Sequence, residues 1–198
     1  MSYVDDIQKV GHLTINEIIK ISNLYVPDIF KPCPWKYIDS QGRTLNHGTA
    51  VLETEELCSA YMSAYGPMHY HKLMRALDEN EFPYSDLAGG IEIYDWGCGQ
   101  AIGTMAVIEK FRQHGMLGKL RKVVLEEPSD VARDRAVIHV KKALEDNNAD
   151  VIAVSKYLPS DNGDNSNSIT SISVEQPTAI HIFSNILDIE AVSLKGVS

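Results

Sequence analysis

Asp95-Trp96-Gly97-Cys98-Gly99-Gln100-Ala101-Ile102-Gly103 is the stretch on which the reading of the fold turns. Ahead of it, Ile91, Ile93 and Tyr94 make a short apolar strand. Behind it, apolar residues recur at helical spacing from about Ala101 to Gln113. A strand that enters a glycine-rich turn and leaves as a helix is the first half of a βαβ unit. Gly97 and Gly99 have no Cβ atoms, so a ligand can come close to the backbone, and the helix beyond offers free N–H groups. The spacing is G-x-G-x-x-x-G, whereas dinucleotide-binding turns read G-x-G-x-x-G. Asp95, immediately before the glycines, suits a ligand ammonium group and would repel a pyrophosphate in the turn.

Downstream the alternation continues. Val123, Val124 and Leu125 form a second strand, Ser129-Asp130 caps a helix to about Leu144, and Val151 to Val154 form a third strand. A tract rich in Ser, Asn, Asp and Gly runs from Pro159 to Ser168, and a fourth strand covers Ala179 to Phe183. Strands alternating with helices imply an α/β fold with a parallel sheet and right-handed crossovers. The second strand ends in Glu126-Glu127-Pro128-Ser129, which puts an acid where nucleotide folds bind the two ribose hydroxyls. The gap from Gly97 to Glu127 exceeds the ~20 residues of the dinucleotide fingerprint, and the excess fits between His114 and Lys122.

Residues 91–190 resemble the class I, Rossmann-like, S-adenosylmethionine-dependent methyltransferases, whose first motif has the form D-x-G-C-G-x-x-x-G. The resemblance implies that Asp95, Gly97 and Gly99 surround the methionine moiety of S-adenosylmethionine, with Cys98 in the same turn. Family members often read V-E-x-S at the second strand. Alignment on Pro128-Ser129 makes Glu127 the ribose ligand and turns Glu126 to the other face. The fourth strand ends in Phe183-Ser184-Asn185, close to the family's F-S-N-x-x-L, which implies that Ser184 and Asn185 line the methyl-transfer site. Members acting on planar amino nitrogens carry [DN]-P-P-[YFW] there. This chain has Asn185-Ile186-Leu187-Asp188, so amino-nitrogen methylation loses support. The family's third strand is followed by an adenine-binding polar residue and a helix. Here Ser155-Lys156-Tyr157 follow, no helical period leads to the fourth strand, and the adenine contacts stay unassigned; Tyr157 could stack on a base or pack in the core.

Upstream, residues 1–90 read as a mostly helical appendage to the half-domain of residues 91–198. Thr14-Ile15-Asn16-Glu17 has the form of a capping box, and the helix it opens should stop before Pro27. Lys31 to Trp35 is a Pro-rich connector, followed by a small hairpin around Asp39-Ser40-Gln41-Gly42. Thr54 opens a second helix, which Gly66-Pro67 should bend or break before it continues to about Asn80, and Phe82 to Gly90 form a loop. The helix carries Tyr61, Tyr65, His69, Tyr70 and His71. His69 and His71 diverge by about 200° on a helix and cannot easily share a metal, so packing or a lid over the cofactor suits this cluster and no metal is expected.

Composition narrows the class. With 198 residues, 44% hydrophobic and 23% charged, the chain has the make-up of an ordinary globular protein. A formal charge of -9 counts against a self-sufficient nucleic-acid binder, because such affinity rests mainly on Lys and Arg neutralising phosphate. Cys33, Cys58 and Cys98 form no C-x-x-C pair, so neither a disulfide scaffold nor a zinc knuckle is indicated, and Cys98 has no visible base beside it to make it a nucleophile. The N-terminus has no apolar signal core, no stretch is a candidate membrane span, and the cytoplasm is the default location.

A complete class I fold has seven strands in the order 3-2-1-4-5-7-6, and the sequence offers four. The fourth would be an exposed edge that a C-terminal domain of a longer protein, the appendage, or a second copy must cover. Ile189 to Leu194 has the pattern of a helix that has been cut, which favours a fragment. The leading expectation is thus a methyltransferase of unassigned acceptor and unassigned catalytic residues, and the alternative is a non-catalytic module of a larger protein. An NAD-dependent oxidoreductase is disfavoured by the glycine spacing.

Overall fold

The computed structural model describes residues 2–48, 50–79, 89–145, 147–155 and 177–183. Three helices come first: α1 (Tyr3–Lys9), α2 (Ile15–Leu24) and α3 (Glu55–Glu79). The alternating part follows as β1 (Ile91–Trp96), α4 (Ile102–Gln113), β2 (Leu120–Glu126), α5 (Asp130–Ala143), β3 (Asp150–Val154) and β4 (Thr178–Ile182). The four strands form one parallel sheet in the order β3-β2-β1-β4. The fold is therefore the Rossmann-like α/β arrangement implied by the alternation, with a helical N-terminal part. Among the described residues the outer edge of β4 has no strand beside it.

Residues alternate across the pleat, so β1 sorts its side chains into two sets. Ile91, Ile93 and Asp95 are buried on the face covered by α4, while Glu92, Tyr94 and Trp96 lie on the opposite face. Asp95 stands opposite Leu125 of β2 and Ile182 of β4. An acid thus occupies the last inward position of the central strand, beneath the start of α4.

The N-terminal helices differ in part from their sequence reading. Thr14 Oγ1 accepts the Glu17 N–H at 3.3 Å and caps α2. The full reciprocal box is found instead at the start of α1, between Ser2 and Asp5. The expected hairpin reduces to one antiparallel bridge, Ile38 with Thr44. Asp39 makes that turn on its own: Oδ1 accepts the Gln41 and Arg43 N–H groups, and Oδ2 accepts Arg43 Nε. Trp35 sits in a 3₁₀ turn, Pro34–Lys36, and not in a strand.

Contrary to the expected break, α3 runs unbroken through Gly66-Pro67. A Cβ on Gly66 would stand 2.8 Å from Met62 Sδ and 3.2 Å from Ile19 Cγ1, so this glycine is where α2 closes on α3. Leu57, Cys58, Ala60 and Met62 before the proline, and His69 and Tyr70 after it, are all buried, so both halves of the helix pack into the core. Tertiary packing outweighs the ~3 kcal/mol propensity penalty of one proline.

One apolar core crosses residue 90. Tyr3, Ile7, Leu13, Ile15, Ile18 and Met62 from the N-terminal part pack with Ile91, Ile93, Phe111 and Val123. A smaller cluster joins Val26, Tyr37, Leu45, Leu52 and Leu57 to Ala132 of α5. Between them lies Arg135, 1% exposed. Its Nε donates to Glu55 Oε2 (2.6 Å), Nη1 to Gln100 Oε1 (3.2 Å), and Nη2 to the Glu55 carbonyl (3.0 Å) and Ser59 Oγ (2.9 Å). The Tyr3 ring covers the guanidinium at 3.6 Å. Arg135→Met keeps the volume but leaves these acceptors unpaired, and is expected to lower unfolding stability by about 2–4 kcal/mol. Urea titration should show a lower midpoint with the slope unchanged.

Candidate functional site

The turn after β1 is built from left-handed backbone. Gly97, Gly99 and Ala101 have φ of 65°, 54° and 64°. For Ala101, fully buried, this conformation costs about 1–2 kcal/mol and must be imposed by its neighbours. Cys98 N–H donates to the Glu126 carbonyl (2.9 Å) and Ala101 N–H to the Cys98 carbonyl (2.7 Å), which ties the turn to the end of β2. A Cβ built on Gly99 meets nothing within 4 Å, so the space over the turn is open.

Ala101 stands at the N-cap of α4 and has no side chain to cap it. Asp95 does this from the strand: its Oδ2 accepts Thr104 Oγ1–H at 2.7 Å and Thr104 N–H at 3.2 Å. Its other oxygen, Oδ1, is buried with no partner among the described residues. Burial, with a smaller contribution from the nearby Glu127 charge, pushes the Asp95 carboxyl up to about 6 against the two Thr104 hydrogen bonds. Thr104 was not singled out from sequence. The available signal was a Thr in the first turn of the helix that follows an acid-ended strand.

Glu127 closes the turn from the β2 side. Oε2 accepts the Gly99 N–H and Oε1 the Ser129 N–H, each at 2.9 Å. Burial raises this carboxyl, and the two backbone donors and the Arg133 charge oppose the rise. Pro128 bridges Glu127 to Ser129, whose Oγ accepts the Ala132 N–H at 3.1 Å and caps α5. Ser129 Oγ also donates to the Leu52 carbonyl at 2.5 Å, binding the N-terminal part to the site. Cys98 is buried, and its thiol is held well above its ordinary value by burial and by the Asp95 and Glu127 charges. A thiol so disfavoured as thiolate is a turn residue and not a nucleophile.

The structure therefore brings Asp95, Gly97, Cys98, Gly99, Glu127 and Pro128 together at the carboxyl ends of β1 and β2. Ser184, Asn185 and Tyr157, and the segments Pro159 to Ser168 and Ile189 to Leu194, lie outside the described residues. From α3, Tyr61, Tyr65 and His69 form a cluster in which every pair of ring centroids is 5.3–6.1 Å apart. Tyr61 stands close enough to Glu127 that, beyond the effect of burial, the carboxylate helps hold its phenol up at about 12. His69 is buried and its imidazole lowered by desolvation, whereas His71 is exposed, so the two do not converge. Among the described residues no three His, Cys, Asp or Glu side chains are grouped so as to hold a metal.

Two further features border the sheet. On the face opposite α4, Trp96 Nε1–H donates to His181 Nδ1 at 3.1 Å, with Tyr94 and Phe183 beside them. A cleft of about 290 Å³ lies along β4 between Leu73, Leu77, Val107, Ile180 and Phe183. Neither involves the two carboxylates.

With its carboxyl pushed up by burial, Asp95 is expected to make stability fall as pH rises, the reverse of an ion-paired carboxylate. Its folded value near 6 exceeds the ordinary 3.8, so the folded state holds the proton more tightly. That advantage is complete below about pH 4 and is lost as pH rises through 6. Asp95→Asn, which cannot ionise, is expected to exceed the parent chain in stability by about 2–3 kcal/mol at pH 8 and to match it near pH 4. Urea unfolding at each pH measures this. Compared with known proteins, the chain matches no family model, no curated protein and no solved structure.

Proposed function

We propose that this chain binds S-adenosylmethionine at the turn after β1 and serves methyl transfer to an acceptor. The observation that carries the reading is the Glu127 carboxylate bonded to the Gly99 N–H beside Asp95. The order β3-β2-β1-β4 reverses direction between β1 and β4, and ligands of open α/β sheets bind in the crevice at such a point; Asp95 ends β1 beside that junction, and Glu127 follows the neighbouring β2.

The residues present fit the cofactor. Asp95 Oδ1, a buried acceptor without a partner among the described residues, suits an ammonium donor. Open space over Gly99 leaves room for close approach to the backbone. Each Glu127 oxygen has one backbone donor and keeps lone-pair capacity for a ribose hydroxyl. A pyrophosphate fits poorly, because Glu127 already fills the anion-binding N–H of the turn and would repel it; this counts against NAD. Bound here, the cofactor supplies an electrophilic methyl group on a sulfonium centre. Glu127 and Asp95 bind and orient it, and Tyr61 of α3 stands beside Glu127 and shields that side from water. Methyl transfer depends chiefly on proximity and alignment, so no general base is required of these residues.

Within this reading the chain works in the cytoplasm, and a C-terminal domain or a second copy covers the edge of β4 that has no strand beside it among the described residues. No helix among the described residues is long and apolar enough to cross a membrane. Calorimetric titration with S-adenosylmethionine, S-adenosylhomocysteine and NAD tests the proposal. The first two should bind and NAD should not, with affinity falling at least tenfold in Asp95→Ala and in Glu127→Gln. Failure of both sulfur ligands to bind would refute it. Binding without turnover on any acceptor would assign a non-catalytic module instead.

A further inference from the structure

Gln100, between Gly99 and the strained Ala101, is held from three sides by groups outside the turn. Its side-chain Nε2 donates to the Cys58 carbonyl at 2.8 Å, and its Oε1 accepts Arg135 Nη1. Its main-chain carbonyl faces His139 Nδ1 at 3.0 Å. A carbonyl can only accept, so Nδ1 carries the proton and Nε2 is a bare acceptor. Tyr3 Oη lies 2.8 Å from that Nε2 and donates to it. His139 is fully buried, and desolvation lowers it to about 4, which keeps it neutral and the relay in a single tautomer. The chain of hydrogen bonds is thus directional: Tyr3 O–H to His139, His139 N–H to the Gln100 carbonyl. The same Tyr3 ring lies over Arg135, the donor to the Gln100 side chain.

We infer that Tyr3 is a positioning residue for the glycine turn, so that the first helix, remote in sequence, keeps the turn in its ligand-binding shape through His139. Three left-handed residues within five positions have easier conformations available once their neighbours stop dictating them. The peptide that would flip on relaxation is that of Gln100 and Ala101, the one whose oxygen His139 holds. The role of this geometry in cofactor affinity rests on the reading of the turn as the ligand site; the geometry itself does not.

Tyr3→Phe tests this, since it removes the hydroxyl and keeps the ring over Arg135. Tyr25→Phe is its control: Tyr25 Oη donates to Asp6 Oδ2 of α1 at 2.8 Å, and its loss loosens α1 without touching His139. Amide hydrogen exchange of the full chain, without ligand, is read at Cys98, Gly99 and Ala101. The acceptors of these amides lie on β2, its end or the turn itself, so Tyr3 reaches them only through Gln100. Exchange there should quicken about tenfold in Tyr3→Phe and not in Tyr25→Phe. No change, or equal change in both variants, overturns the inference. A parallel titration with S-adenosylhomocysteine should show about tenfold weaker binding for Tyr3→Phe only, and unaltered affinity also overturns it. If the parent chain binds no S-adenosylhomocysteine, the cofactor reading falls while the exchange rates still decide the role of Tyr3.

Discussion

A guanidinium that cannot lose its proton lies 1% exposed inside this molecule, and the architecture is arranged around its need for acceptors. An uncompensated charge in that position would cost several kcal/mol. Arg135 meets the need with the Glu55 carboxylate and carbonyl and Ser59 from α3, and with Gln100 from the glycine turn. The partners come from two separate parts of the fold, α3 and the glycine turn, and none is its sequence neighbour. The N-terminal helices and the sheet are therefore joined by a polar contact that neither can satisfy alone, and the apolar core on either side follows the same seam.

The turn beside that contact carries a different tension. α4 has no cap of its own, so Asp95 is used as one, and a carboxylate is drawn into a site where burial disfavours its charge. Glu127 adds a second acid nearby, held by backbone donors that would otherwise face solvent or an anion. Two buried acids thus stand at the ends of neighbouring strands, where burial disfavours the charge of each. Among the described residues one oxygen of this pair, Asp95 Oδ1, is buried without a hydrogen-bond partner.

Much of this was legible along the chain. The alternation of short β-rich runs with helical periods specifies a parallel sheet, because period and order are local properties of the sequence. The acids and glycines after β1 and β2 were also legible, since strand ends mark where ligands approach an α/β sheet. Less was legible in the N-terminal part. Gly66-Pro67 reads as a bend or a break, yet α3 continues through it with Ile19 and Met62 packed close against Gly66. Trp35 to Leu45 reads as a hairpin, yet Asp39 gathers the turn so tightly that a single bridge remains. The seven residues of α1 are too short a helix to stand out by periodicity and exist by docking on α2 and α5.

What the sequence determined by itself is the α/β class, the strand and helix order, and the identity of the turn that holds Asp95, Gly97, Gly99 and Glu127. These rest on hydrophobic period and on glycine's freedom at positive φ, which act between near neighbours. Only the tertiary structure decided that Asp95 caps α4 through Thr104, that Arg135 is buried against α3, and that Tyr3 reaches the turn through His139. Each of these joins polar groups that burial obliges to find a partner. Which partner is met depends on how whole elements pack, a property no stretch of the chain carries alone.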